Sequence, residues 1–116
     1  MSPGGTATCK GAEVAEYGPV VDNATEGRFE LTVDGATAFV LYRLLKRSII
    51  FVHTESPPEL QGRGVGSALV RGSLDIARER GLEVVPMCPF FAGYIRRHPE
   101  YHDLLSQENL QRLLAS

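Results

Sequence analysis

Residues 48–87 restrict the fold more than any other part of the chain. SIIFVHTE (Ser48–Glu55) is rich in β-branched and aromatic residues and reads as a strand. Pro57 and Pro58 close it, because a residue without an amide hydrogen cannot extend a ladder. LQGRGVGSALV then sets glycines at positions 62, 64 and 66 ahead of a helical pattern. Val65, Leu69, Gly72 and Ile76 share one helix face, which predicts a helix over 66–80, stopped by Gly81. LEVVPM (82–87) follows as a short apolar strand. A strand, a helix and a strand in this order are expected side by side and parallel, joined by a right-handed crossover.

Upstream, RFELTVD (28–34) alternates Phe29, Leu31 and Val33 on one face with Arg28, Glu30, Thr32 and Asp34 on the other, the period of a half-exposed strand. Asp34-Gly35 supplies a hairpin turn, and ATAFVLY (36–42), apolar on both faces, reads as an interior strand. With a turn at Lys46-Arg47, three antiparallel strands are expected before the crossover. Downstream, Pro89 suits the first position of a helix, so PFFAGYIRR (89–97) is predicted helical, ending near His98-Pro99. Leu110, Leu113 and Leu114 predict a last helix over 104–115. The fold class is therefore α/β (α+β): a mixed sheet, mostly antiparallel, with one parallel pair and flanking helices.

A chain of 116 residues suits one core. Residues 1–12 are small, polar and glycine-rich and read as a flexible leader, leaving 13–116 as one domain. Net charge is −2 and the arginines are scattered, which argues against a dedicated nucleic-acid binder. The two cysteines, Cys9 and Cys88, stand far apart and without partners at ligand spacing, so neither a disulfide framework nor a metal site is expected, and a reducing, cytoplasmic setting fits. No apolar segment follows a basic region at the N-terminus, and no run reaches the ~18 apolar residues of a membrane helix, so neither secretion nor membrane insertion is expected.

Glycines that open a helix let backbone amides approach an anion, most often a phosphate. Two well-known phosphate motifs fail here. For the dinucleotide pattern G-x-G-x-x-G, a start at Gly62 puts Ser67 in the third glycine position, and a start at Gly64 puts Leu69 there. The P-loop lysine is missing, since the only lysines are Lys10 and Lys46. What fits is Q-x-x-G-x-G, with Gln61, Gly64 and Gly66 between a strand and a helix. A glycine-rich turn without any ligand, or an anion-binding turn of another kind, is the plainer alternative.

HTESPPELQGRGVGSALV together with VVPMCPFFAGYIRRHPEY resembles the small, single-domain members of the GCN5-related N-acetyltransferase superfamily that carry a cysteine before their second helix, over about 28–101. The resemblance implies an acetyl-CoA site. Gln61, Gly62, Arg63, Gly64, Val65, Gly66 and Ser67 would hold the pyrophosphate, and Thr54, Glu55 and Ser56 the pantetheine arm, which enters a splay between the two parallel strands. Tyr94 would lie near the departing thiolate, although a shift of one residue puts Ile95 there. Arg96 and Arg97 would face the nucleotide.

On this reading His53, Glu55 and Cys88 are the candidates for chemistry. Strand alternation puts His53 and Glu55 on one face and Thr54 on the other. Cys88 falls at the N-cap of the second helix, whose positive end favours a thiolate. Two routes follow: direct attack of an amine with His53 or Glu55 as base, or an acetyl-cysteine on Cys88. The acceptor is expected to be a small-molecule or protein amine, and the chain a monomer or weak homo-oligomer. The alternative function is a coenzyme A-binding or protein-interaction module with little or no catalysis. Packing alone remains the competing account of Cys88.

Overall fold

The computed structural model describes residues 19–115, and the expected leader over 1–12 lies outside them. A five-stranded sheet runs in sequence order, with β1 (Val21–Asn23), β2 (Arg28–Val33), β3 (Ala36–Leu44) and β4 (Ser48–Glu55) antiparallel and β5 (Glu83–Pro86) parallel to β4. α1 (Val65–Glu79) makes the crossover between β4 and β5, α2 (Pro89–Arg97) follows β5, and α3 (Gln107–Ala115) ends the described chain. The mixed sheet with one parallel pair is the fold class read from the sequence.

β2 and β3 are joined as expected, with both turn residues in the left-handed region: Asp34 at φ 52° and Gly35 at φ 82°. Two positive φ angles give the turn a twist that matches a right-handed strand pair. The inner face of β3 buries Ala36, Ala38, Val40 and Tyr42, and β2 adds Phe29, Leu31 and Val33. α1 covers this face with Val65, Ala68, Leu69, Leu74 and Ala77. α2 packs beside it through Phe91, whose ring stacks on Phe51 at 4.3 Å.

Four details differ from expectation. Four antiparallel strands precede the crossover, not three, because Val21–Asn23 pairs with β2. This strand is short and polar, and tertiary contacts hold it: Tyr42 donates to Asp22 at 2.6 Å, Arg80 pairs with Asp22 at 2.9 Å, and Asn23 donates to Glu30 at 3.0 Å. Burial, and then the Asp22 carboxylate, push the Tyr42 hydroxyl up to about 12. Second, the buried stripe of α1 is broader than expected and turned toward one side: Val65 and Leu69 are buried, Gly72 and Ile76 are only half-buried, and Ala68, Val70, Ser73, Leu74 and Ala77 are buried as well.

Third, the predicted helix over 104–115 begins only at Gln107. Leu104 ends a separate 3-10 turn, Pro99–Leu104, and Ser106 Oγ accepts from Asn109 N at 3.1 Å as an N-terminal cap. Arg78 fastens the 3-10 turn to α1 by donating to Asp103 at 2.8 Å and to the Glu100 carbonyl at 2.7 Å. Fourth, strand β3 extends to Leu44, beyond the predicted Tyr42.

One irregularity sets up the site. Between β3 and β4 the register runs Tyr42 opposite Phe51 and then Leu41 opposite His53, so Val52 is an extra residue, a β-bulge. Side chains of paired residues share a face. Thr54, opposite Val40, therefore points to the helix-covered face with Phe51, whereas His53 and Glu55, opposite Leu41 and Phe39, point to the other.

Candidate functional site

β4 and β5 pair from Ser48 with Glu83 to Phe51 with Pro86. The Cys88 amide then donates to the Phe51 carbonyl at 2.9 Å, and from there β4 runs on to Glu55 while the chain turns into α2. The parallel pair thus opens into a splay just where β4 carries its bulge.

Beyond β4, Pro58–Leu60 forms a short 3-10 turn and the glycine loop begins. Gly62 at φ 80° and Gly64 at φ 77° both adopt the left-handed conformation that disfavours a side chain. Gly64 is the N-cap of α1, and no side chain caps the helix there. Its first turn also holds no acidic residue. Both omissions leave the positive end of a 15-residue helix open toward the cleft.

This cleft, about 290 Å³, is lined by Ser56, Leu60, Gln61, Gly62, Gly64, Val65, Gly66, Ser67 and Phe90. Gln61 Nε2 donates to the Ser56 carbonyl at 3.3 Å, tying the loop to the end of β4. The Ser56 hydroxyl oxygen is buried and has no hydrogen-bond partner, an acceptor and donor left for something that enters the cleft. A larger hollow of about 410 Å³ lies at the far end of α1 beside Arg78 and Asp103, where the arginine is already held by Asp103 and Glu100.

The structure gathers most of the residues read from the sequence and separates others from them. Gln61, Gly62, Gly64, Val65, Gly66, Ser67 and Ser56 share the cleft. Arg63 is in the loop but donates to Asp34 at 2.9 Å, in the β2–β3 turn. Thr54 Oγ lies 3.3 Å from Cys88 Sγ at the splay, and Cys88, at the N-cap of α2, is 4% exposed.

His53 and Glu55 are paired to each other at 3.0 Å on the opposite face of the sheet, both more than half exposed. Tyr94 is 2% exposed, and it does not line the cleft: its hydroxyl accepts from Arg71 at 3.1 Å and its ring stacks on His98 at 3.9 Å. Arg96 donates to the Leu113 carbonyl at 3.1 Å and so secures α3.

Sequence reading missed Phe90. It is 43% exposed, and its ring lies 3.0 Å from where a β-carbon on Gly66 would stand. Its exposure and the lean of its ring toward the glycine loop exist only in the tertiary structure.

A mixed sheet splayed at its one parallel pair, with an uncapped glycine-opened helix beside the splay, has the architecture of an acetyltransferase-like α+β fold. The family model described as GCN5-related N-acetyltransferase matches residues 28–104, and the chain belongs to that family, whose general chemistry is acetyl transfer. It is 27% identical over 75 residues to Protein NATD1 of Xenopus tropicalis, a match covering 62% of this chain and 69% of that protein. Among the described residues no group of three or more His, Cys, Asp or Glu could hold a metal, and no helix is long and apolar enough to cross a membrane.

Proposed function

We propose that the chain binds acetyl-CoA in the glycine cleft and moves its acetyl group to an amine. The observation that carries this is the cleft's donor set: an uncapped helix start, two left-handed glycines and an unpartnered buried Ser56 hydroxyl. Backbone amides at such a start suit a diphosphate, and Ser56 with the free side of β4 suits the amide-bearing arm of the coenzyme. When bound, acetyl-CoA supplies an acetyl group activated as a thioester.

The chain's own part is positioning and proton acceptance. The contact of His53 Nε2 with the Glu55 carboxylate, which only accepts, assigns the ring proton to Nε2 and leaves Nδ1 with a lone pair. His53 Nδ1 would take the proton of an attacking amine that arrives on the exposed face. Glu55 would stabilise the imidazolium that results. Cys88 is buried and hydrogen-bonded to Thr54, which supports the direct route over an acetyl-cysteine.

Turnover of acetyl-CoA with a panel of amines, and intact-protein mass after mixing, test this reading. His53→Ala should lower kcat/KM about 100-fold while coenzyme A still binds. Cys88→Ser should retain most activity, with no acetyl adduct on the wild type. An adduct abolished by Cys88→Ser would select the covalent route instead. Coenzyme A binding without turnover of any amine would leave a binding module.

A further inference from the structure

Phe90 is the one aromatic among the large apolar side chains exposed in the described residues. It is the second residue of α2, two positions after Cys88. Its ring leans across to α1, with Cζ 3.0 Å and Cε2 3.2 Å from the place of a Gly66 β-carbon. The ring therefore spans the gap between the glycine loop and the start of α2, and the missing side chain at Gly66 is what gives it room.

The cleft's other apolar side chains, Leu60 and Val65, are 1% and 0% exposed and offer a ligand little surface. Phe90 supplies the accessible apolar wall. It touches the glycine loop at Gly66 and lies two residues beyond Cys88, which pairs with Thr54 at the splay.

We propose that Phe90 is a specificity-determining residue that packs against the methylated amide arm joining the diphosphate to the thiol, and so separates coenzyme A from nucleotide diphosphates that lack the arm. This rests on the coenzyme reading of the cleft. A diphosphate nucleotide alone would occupy the loop but carries no methylated arm to cover the ring. The full arm must pass the ring to bring a thioester to the splay, and burying apolar surface against Phe90 adds affinity only for the longer ligand.

Calorimetric titration of the full chain with coenzyme A and with ADP tests the assignment. Phe90→Ala should weaken coenzyme A about tenfold and leave ADP unchanged, and Phe90→Leu should recover most of the loss because it restores apolar volume. A parallel thermal melt should show little change, since the ring is 43% exposed. Equal weakening of both ligands would overturn the proposal, because the ring would then only shape the loop or meet the adenine. An unchanged affinity for coenzyme A would overturn it too. If the wild type shows no preference for coenzyme A over ADP, the coenzyme reading itself fails, a result distinct from either variant outcome.

Discussion

Gly64 and Gly66 look equivalent in the sequence, and alanine at the two positions should act in opposite directions. Gly64 sits at φ 77°, ψ 8°. A β-carbon there would have nothing within 4 Å, so the penalty of Gly64→Ala is purely conformational. A left-handed L-residue costs about 1–2 kcal/mol, and the stiffer unfolded chain returns about 0.4–1 kcal/mol, leaving a net loss near ~1 kcal/mol. For a domain of this size that lowers Tm by about 4–8 °C.

Gly66 is helical, so Gly66→Ala gains about 0.8–1 kcal/mol of helix propensity. Its new β-carbon would press on Phe90 at 3.0 Å, a half-exposed ring that can swing aside. Stability should therefore hold or rise, while affinity for coenzyme A falls several-fold as the wall is displaced. Gly64→Asn should recover much of the lost stability, since asparagine tolerates the left-handed region and can cap the helix. Thermal melts followed by circular dichroism, with calorimetry on each variant, give both readouts. Equal Tm shifts of the same sign at the two positions would refute the reasoning.

Three further outcomes are expected. Ser73, fully buried on α1 with an unpartnered hydroxyl, should be improved by Ser73→Ala by about 1–2 kcal/mol, since an unmet polar group and poorer helix propensity are removed together; a lowered Tm would count against this. Ser56→Ala should also raise the Tm of the free protein, yet weaken coenzyme A binding, the opposing signs marking a hydroxyl kept for a ligand. The Arg78 hydrogen bonds hold the Asp103 carboxyl below the ordinary aspartate range. A depressed carboxyl contributes stability above the unfolded value of about 3.9 and loses it as pH falls through the lower folded value, so Asp103→Asn should flatten the stability profile below about pH 4. Because the pair is largely exposed, the difference should shrink in high salt.

Much of this architecture was legible because it rests on local rules. Asp34-Gly35 could only be a tight turn, Pro57-Pro58 could only end a strand, and Gly81, at φ 69°, ends α1 with the Leu82 amide returning to the Ala77 carbonyl. β1 escaped notice because its stability comes from Tyr42, Arg80 and Glu30, residues distant in the chain. Leu104 was read into the last helix because leucine spacing is silent about the 3-10 turn that Arg78 fastens to α1. Phe90 escaped because exposure and the lean of a ring on a neighbouring helix have no signature in a single sequence.

The candidate site divides along the same line. Glycine spacing determined by itself that a helix would open on a glycine-rich loop, since backbone freedom at glycine is an intrinsic property of the residue. Alternation likewise put His53 and Glu55 on one face and Thr54 on the other. Which face belongs with Cys88 was decided only by the tertiary structure. Strict alternation from Ile49 and Phe51 would carry His53 to the buried face. The extra residue Val52 reverses the phase, sends Thr54 to Cys88, and leaves His53 and Glu55 in the open. A bulge is a misfit between two paired strands, so it exists only once β3 and β4 have met.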